Sequence, residues 1–184
     1  MCPRFGAGIF VWEAGTTMLI RPATTADFDA LRAIELAAFE TLRAAGAVSG
    51  SASASTDQQL QRYLDHGLLD VACDQSGEPI GFCGSYIAES LLHIGEMDVH
   101  PAWQRQGVGR RLLAAALEEA RARRADGATL TTDRLVLFNA PFYASLGFRP
   151  LADDELPAKL REILDAEANM GLDPDRRIAM MLRF

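Results

Sequence analysis

The spacing of apolar residues changes several times along the chain, and each change marks an element. Phe28, Leu31, Ile34, Leu36 and Phe39 recur at roughly helical intervals behind Thr24 and Thr25, either of which can cap a helix, so a helix is predicted from there to about Ala45. Met18 to Arg21 reads as a strand before it. Residues 46–55 (GAVSGSASAS) bury little and read as a loop, after which Thr56 or Asp57 caps a short helix through Leu64. Leu69–Cys73 and Ile80–Ile87 form two strands joined by the turn-rich residues 74–79, a hairpin pattern. Leu91–Val99 follows as a strand, Gly107–Ala125 as a long helix, Ala128–Thr132 as a strand and Asn139–Leu146 as a short helix. The tail adds a helix over Leu156–Asn169, striped by Leu156, Leu160, Ile163 and Leu164, and a closing strand over Arg177–Leu182. This alternation is mixed α/β.

Bulk properties narrow the class. A chain of 184 residues, 49% hydrophobic and 23% charged, is long enough for one sizeable core and too short for two full domains, so 18–184 is expected to be a single domain. Residues 1–17 differ in character and are expected to be a disordered extension. A formal net charge of −7 argues against nucleic-acid binding, which needs clustered cations. Three cysteines, Cys2, Cys73 and Cys83, lack CxxC spacing, so neither a disulfide framework nor a metal site is indicated. No apolar run approaches the roughly 20 residues that cross a bilayer, and residues 1–17 lack the features of a secretory signal. A cytoplasmic setting is expected.

The densest chemistry lies in Val99-His100-Pro101-Ala102-Trp103-Gln104-Arg105-Gln106-Gly107-Val108-Gly109, between a strand and an amphipathic helix. A loop that opens a helix through glycines gathers backbone N–H groups at the positive end of the helix dipole, where an anionic phosphate is stabilised. Arg105, Arg110 and Arg111 add charge at that end. A GxG alone also serves tight helix packing. The nucleotide motifs fit poorly, since there is no GxxxxGK[ST] and Leu112 stands where a dinucleotide fingerprint needs its third glycine.

Gln104-Arg105-Gln106-Gly107-Val108-Gly109 satisfies [QR]-x-x-G-x-[GA], and residues 137–148 (LFNAPFYASLGF) supply an Asn…Phe-Tyr…Gly-Phe segment downstream. In these two motifs, in this order, the chain resembles the GNAT family of N-acetyltransferases. The resemblance implies a central, mostly antiparallel mixed sheet of about seven strands with helices on both faces. It implies acetyl-CoA as acyl donor, an amine-bearing acceptor of unspecified identity, and no metal. Backbone groups of Met97, Asp98 and Val99 would pair with the pantetheine arm as an added strand. Gln104, Arg105, Gln106, Gly107, Val108, Gly109 and Arg110 would hold the pyrophosphate, Asn139 would contact the cofactor, and Tyr143 would protonate the departing thiolate.

The base is less determined. Relatives commonly place a glutamate six positions ahead of the residue matching Val99, and here that residue is His93. Histidine can relay a proton near neutrality, and Glu96 is a second candidate. Core packing is the alternative for His93 and Tyr143, a solvated strand position that for Glu96. A CoA-binding sensor without turnover is the competing function. The acceptor has no recognisable motif, and a homodimer is neither indicated nor excluded.

Overall fold

The structure, a computed structural model, describes residues 18–184, so the expectation for residues 1–17, and Cys2 with them, lies outside the described residues. Seven strands form one sheet in the order β1-β2-β3-β4-β5-β7-β6. They are β1 (Leu19–Pro22), β2 (Leu69–Cys73), β3 (Pro79–Ala88), β4 (Leu91–Val99), β5 (Gly127–Asp133), β6 (Arg149–Pro150) and β7 (Arg177–Arg183). The helices are α1 (Phe28–Ala44), α2 (Asp57–Asp65), α3 (Val108–Ala122), α4 (Ala140–Ala144) and α5 (Ala158–Asn169), with 3-10 turns at Thr25–Asp27, Pro101–Trp103 and Asp153–Glu155. The mixed, mostly antiparallel sheet matches the expectation. Two compact units divide these elements. One holds the described residues through Ala38 with Ala54–Ser85 and Glu96–Ala116, the other Phe39–Ser53, Tyr86–Gly95 and Leu117–Phe184.

In the first unit β1 runs antiparallel to β2 and β2 antiparallel to β3, from Leu69 opposite Gly84 to a bulge at Ala72–Cys73. The tip of this hairpin is set by Asp74, whose Oδ1 accepts from Ser76 N–H (2.8 Å), the Ser76 hydroxyl (2.7 Å) and Glu78 N–H (3.1 Å). Phe28, Leu31 and Ile34 of α1 share a core with Leu60 of α2 and with Leu69, Val71 and Phe82 of the strands. At the α1 entry Arg21 grips Asp27 through two hydrogen bonds, 2.7 and 2.9 Å, and Asp27 also accepts from Thr24 N–H at 2.7 Å. The guanidinium, followed by the Thr24 donors, holds the Asp27 carboxyl down at about 2 against the cost of burial.

In the second unit β4 lies parallel to β5 over the pairs Leu91–Gly127 to Ile94–Leu130, and β5 lies antiparallel to β7 along its length. The two-residue β6 pairs with Met180 and Met181 of β7. Leu130, Met180, Met181, Phe148 and Leu160 are buried in this unit. Arg177 clamps Glu167 of α5 with two bonds of 2.8 Å and donates to Thr131 of β5 at 3.3 Å, tying three elements together. Arg176 likewise reaches Asp133 at 2.7 Å.

Each helix closes with the same pair of bonds, in which one residue donates back five positions and the residue before it donates back three. In α1 these are Ala47 N–H to Leu42 O (2.9 Å) and Gly46 N–H to Arg43 O (3.0 Å), with Gly46 at φ 70°. In α3 the same position is Arg124, at φ 61°, and the helix stops at Ala122 rather than at the predicted Ala125 because Arg124 has left the helical region. Glu119 and Arg123 form the expected i,i+4 pair at 2.8 Å. The Arg121 guanidinium covers the Phe184 ring at 4.2 Å, a contact that the sequence spacing does not signal.

Candidate functional site

The candidate phosphate loop leaves β4 through a small, closely bonded turn. His100 N–H donates to the Ile80 carbonyl of β3 (3.0 Å), and His100 Nδ1 accepts from Ala102 N–H (3.3 Å), opening the 3-10 turn at Pro101. The Gln104 side-chain amide donates to the Val99 carbonyl at 3.0 Å, and that of Gln106 donates to the Ala102 carbonyl at 2.8 Å. Arg105 (φ 59°) and Gly107 (φ 85°) take left-handed backbone conformations between β4 and α3. A Cβ at Gly107 would meet nothing within 4 Å, so glycine serves there for its φ and not for space. Gly107 also accepts the first helical bond, from Arg111 N–H at 3.1 Å, and itself has no side chain with which to cap the helix. Arg105, Gln106 and Arg110 are exposed, Gln104 and Gly109 are half-buried, and Val108 is buried.

Val108 is buried because α3 lies close on β3. A Cβ placed on Gly81 would come 2.9 Å from the Asp98 carbonyl, 3.2 Å from Val108 Cγ1 and 3.3 Å from Leu112 Cδ1. With the Asp98 carbonyl against Gly81 and His100 N–H bonded to Ile80, the even-numbered residues here address β3. The odd-numbered Met97 and Val99 then present their backbone groups to the other edge, since these alternate along a strand.

Glu96 and Asp98 share one face of β4 by the same alternation. Burial pushes the Asp98 carboxyl up from its ordinary range, a hydrogen bond with Glu96 opposes this, and the charge of Glu35 on α1 adds to the rise. Glu35 is itself raised by burial, against bonds from Ser55 N–H (2.8 Å) and the Ser55 hydroxyl (3.1 Å) and the nearby charge of Arg32.

In the second unit His93 is only 4% exposed, with Nδ1 3.2 Å from the Thr129 hydroxyl and its ring 5.2 Å from that of Tyr86. Burial pulls its imidazole down to about 4, against the charge of Glu167, so the ring is neutral across the physiological range. Asn139 stands at the N-cap of α4 and accepts Tyr143 N–H at 3.1 Å through its backbone carbonyl, while its side chain makes no capping bond. Tyr143, half-buried, meets the rings of Phe142 and Phe148 edge-on at 5.1 and 5.8 Å. The apolar surroundings expected for this tyrosine are therefore present. Cys73 and Cys83 are buried free thiols, both pushed up by burial. Among the described residues no group of three or more His, Cys, Asp or Glu is placed to hold a metal, and no helix is long and apolar enough to cross a membrane.

Sequence spacing alone missed the part played by Glu35 and Ser55. An acidic residue one helical position from the buried Ile34 was the only available signal.

Residues 65–150, from the end of α2 to β6, match the model of the acetyltransferase (GNAT) domain. Solved structures agree in fold. N-acetylglutamate synthase from Neisseria gonorrhoeae, complexed with coenzyme A and N-acetyl-glutamate, superposes at TM-score 0.68 and 21% identity over 94% of this chain and 36% of its own. The chain thus spans about a third of that protein's length. The ribosomal-protein-S18-alanine N-acetyltransferase of Escherichia coli gives 0.65 at 20% identity over 90% and 93% of the two chains. PaiA N-acetyltransferase of Thermoplasma acidophilum, in complex with coenzyme A, gives 0.68 at 14% over 91% and 99%. Residues 65–150 thus carry the match to the GNAT acetyltransferase domain, and the described residues share the fold of these N-acetyltransferases.

Proposed function

We propose that residues 18–184 act as one catalytic domain that transfers an acetyl group from acetyl-CoA to an amine. The single observation that carries this reading is the loop from Gln104 to Gly109, where Arg105 and Gly107 take left-handed conformations and Gly107 accepts the first bond of α3. Such a start suits a pyrophosphate, assisted by the charges of Arg105 and Arg110. The alternation along β4 supports a pantetheine arm paired with the Met97 backbone and the Val99 N–H, leaving the Asp98 backbone to β3. Asn139, whose side chain makes no capping bond, is the proposed polar contact to the cofactor.

In the proposed reaction the acceptor amine, once neutral, attacks the thioester carbonyl, the carbon–nitrogen bond forms, and the carbon–sulfur bond breaks. The thiolate takes its proton from the Tyr143 hydroxyl, and the tyrosinate takes up the excess proton of the nitrogen, which restores the phenol. Fixing the long CoA arm supplies most of the positioning. Glu96 is the proposed base for the incoming ammonium. It lies beside Asp98, whose own carboxyl is raised by burial and by the charge of Glu35. His93 is proposed as a packing residue, since a buried imidazole held near 4 is a poor proton acceptor at neutrality.

Release of free CoA from acetyl-CoA, screened across primary amines, amino acids and peptide N-termini, tests the activity. Turnover with any acceptor class supports transfer. Tight CoA binding with no turnover across the panel favours the sensor reading.

A further inference from the structure

The Val99 carbonyl stands at the last residue of β4, on the edge that alternation turns away from β3. An added strand lying along that edge would find it a ready acceptor. It is already occupied, because Gln104 Nε2 donates to it at 3.0 Å in a half-buried contact. A carbonyl needs a donor, so the amide nitrogen and not the amide oxygen faces it. The bond closes a ring from Val99 to Gln104 around the 3-10 turn, which is also held by Trp103 N–H to His100 O (2.8 Å). Directly after the ring comes Arg105 at φ 59°, and the chain then enters α3.

We propose that Gln104 is a positioning residue whose side chain buckles the loop to the end of β4, fixing the direction of the following amides and ending the strand edge open to the cofactor at Val99. This inference rests on the reading of 104–109 as the pyrophosphate loop and adds the device that sets its geometry. Two functions follow from one bond. The carbonyl of Val99 is withheld from the pantetheine arm, so the arm cannot slide one pairing further toward α3. The N–H groups after Arg105 are presented at one fixed angle to β4, so the step from arm to pyrophosphate is built in before CoA arrives.

Length and polarity of the side chain both matter, which makes the idea testable with a small set of variants. Gln104→Asn keeps the amide and shortens its reach, Gln104→Ala removes it, Gln104→Glu sets an acceptor against the carbonyl, and Gln104→Arg offers a longer donor. Each is measured for CoA affinity by calorimetry and for amide hydrogen exchange across residues 99–109 without CoA. The expected result is faster exchange and roughly three- to tenfold weaker CoA binding for Gln104→Ala and Gln104→Asn, the scale of one lost internal hydrogen bond. Gln104→Glu is weaker still, and Gln104→Arg restores slow exchange. Unchanged exchange in Gln104→Ala and Gln104→Asn overturns the buckle, even where CoA binding weakens, because the side chain then acts on the ligand directly. Absence of CoA binding by the wild-type chain counts instead against the cofactor reading, and the exchange arm still decides whether the buckle exists.

Discussion

Removing the Tyr143 hydroxyl separates its two roles. The ring packs edge-on against Phe142 and Phe148, and Tyr143→Phe keeps those contacts while deleting the proposed proton donor. The expected outcome is a fall in kcat of about 100-fold with little change in KM for acetyl-CoA and a Tm within about 3 °C of wild type. Steady-state CoA release and thermal unfolding check the two halves. His93 makes the opposite kind of prediction. Its folded-state pKa is lowered, so the folded protein binds fewer protons than the unfolded chain between about 4 and 6.5. The stability that comes from keeping the ring neutral is present above 6.5 and is lost as the pH falls through that window. Denaturant unfolding of wild type and His93→Gln at pH 8 and pH 5 should show the wild-type advantage shrinking by about 2 kcal/mol on acidification. An unchanged difference rejects the buried, neutral histidine. The type of residue at 93 was readable from the sequence as a departure from the family pattern. Its burial was not, because Thr129 and Tyr86 reach it from other parts of the second unit.

At the scale of elements, α3 and β4 depend on a glycine that no motif contains. Gly81 lies on β3, and the nearest neighbour of an added Cβ is the Asp98 backbone carbonyl at 2.9 Å, with Val108 and Leu112 of α3 next. Backbone cannot swing aside as a flexible side chain can. Gly81→Ala is therefore expected to cost about 1–3 kcal/mol and to weaken CoA binding as well, since the displaced residues carry the loop. Denaturant titration beside calorimetry measures both, and unaltered CoA affinity in a destabilised variant would separate the packing from the loop. Most elements were legible to within two or three residues, because periodicity and turn residues act locally. β6 was not, since Arg149 and Pro150 form a strand only by pairing with β7, and nothing in a two-residue segment announces a partner 30 positions on. The 3-10 turn at Asp153–Glu155 was hidden for a related reason. Glu155 is tied back to Arg149 through two 2.9 Å bonds, and the acidic run had only the look of a solvated surface.

At the scale of the molecule, the second unit is closed by the Arg177 clamp on Glu167 and Thr131. Both ionic side chains are largely buried, at 17% and 12% exposure, so removing one strands the other. Arg177→Met should lower unfolding free energy by about 1–3 kcal/mol. The double variant with Glu167→Met should recover part of that loss, a non-additivity that denaturant titration of the four proteins reads directly. Strand number and sheet class followed from the sequence and its resemblance. The insertion of β7 between β5 and β6 did not, because it joins residues far apart in the chain. The donor side of the proposed site was legible for a plain reason: a phosphate loop needs glycines and backbone geometry at fixed spacing. An amine acceptor imposes no such spacing, and no motif for it stands in the chain. The most direct test of the donor side is calorimetric titration of the wild-type chain with acetyl-CoA. Saturable binding at one site per chain, followed by loss of binding when Gly107 is replaced by a β-branched residue that resists a φ of 85°, is the predicted result. No heat of binding, or binding that is indifferent to Gly107→Val, contradicts it.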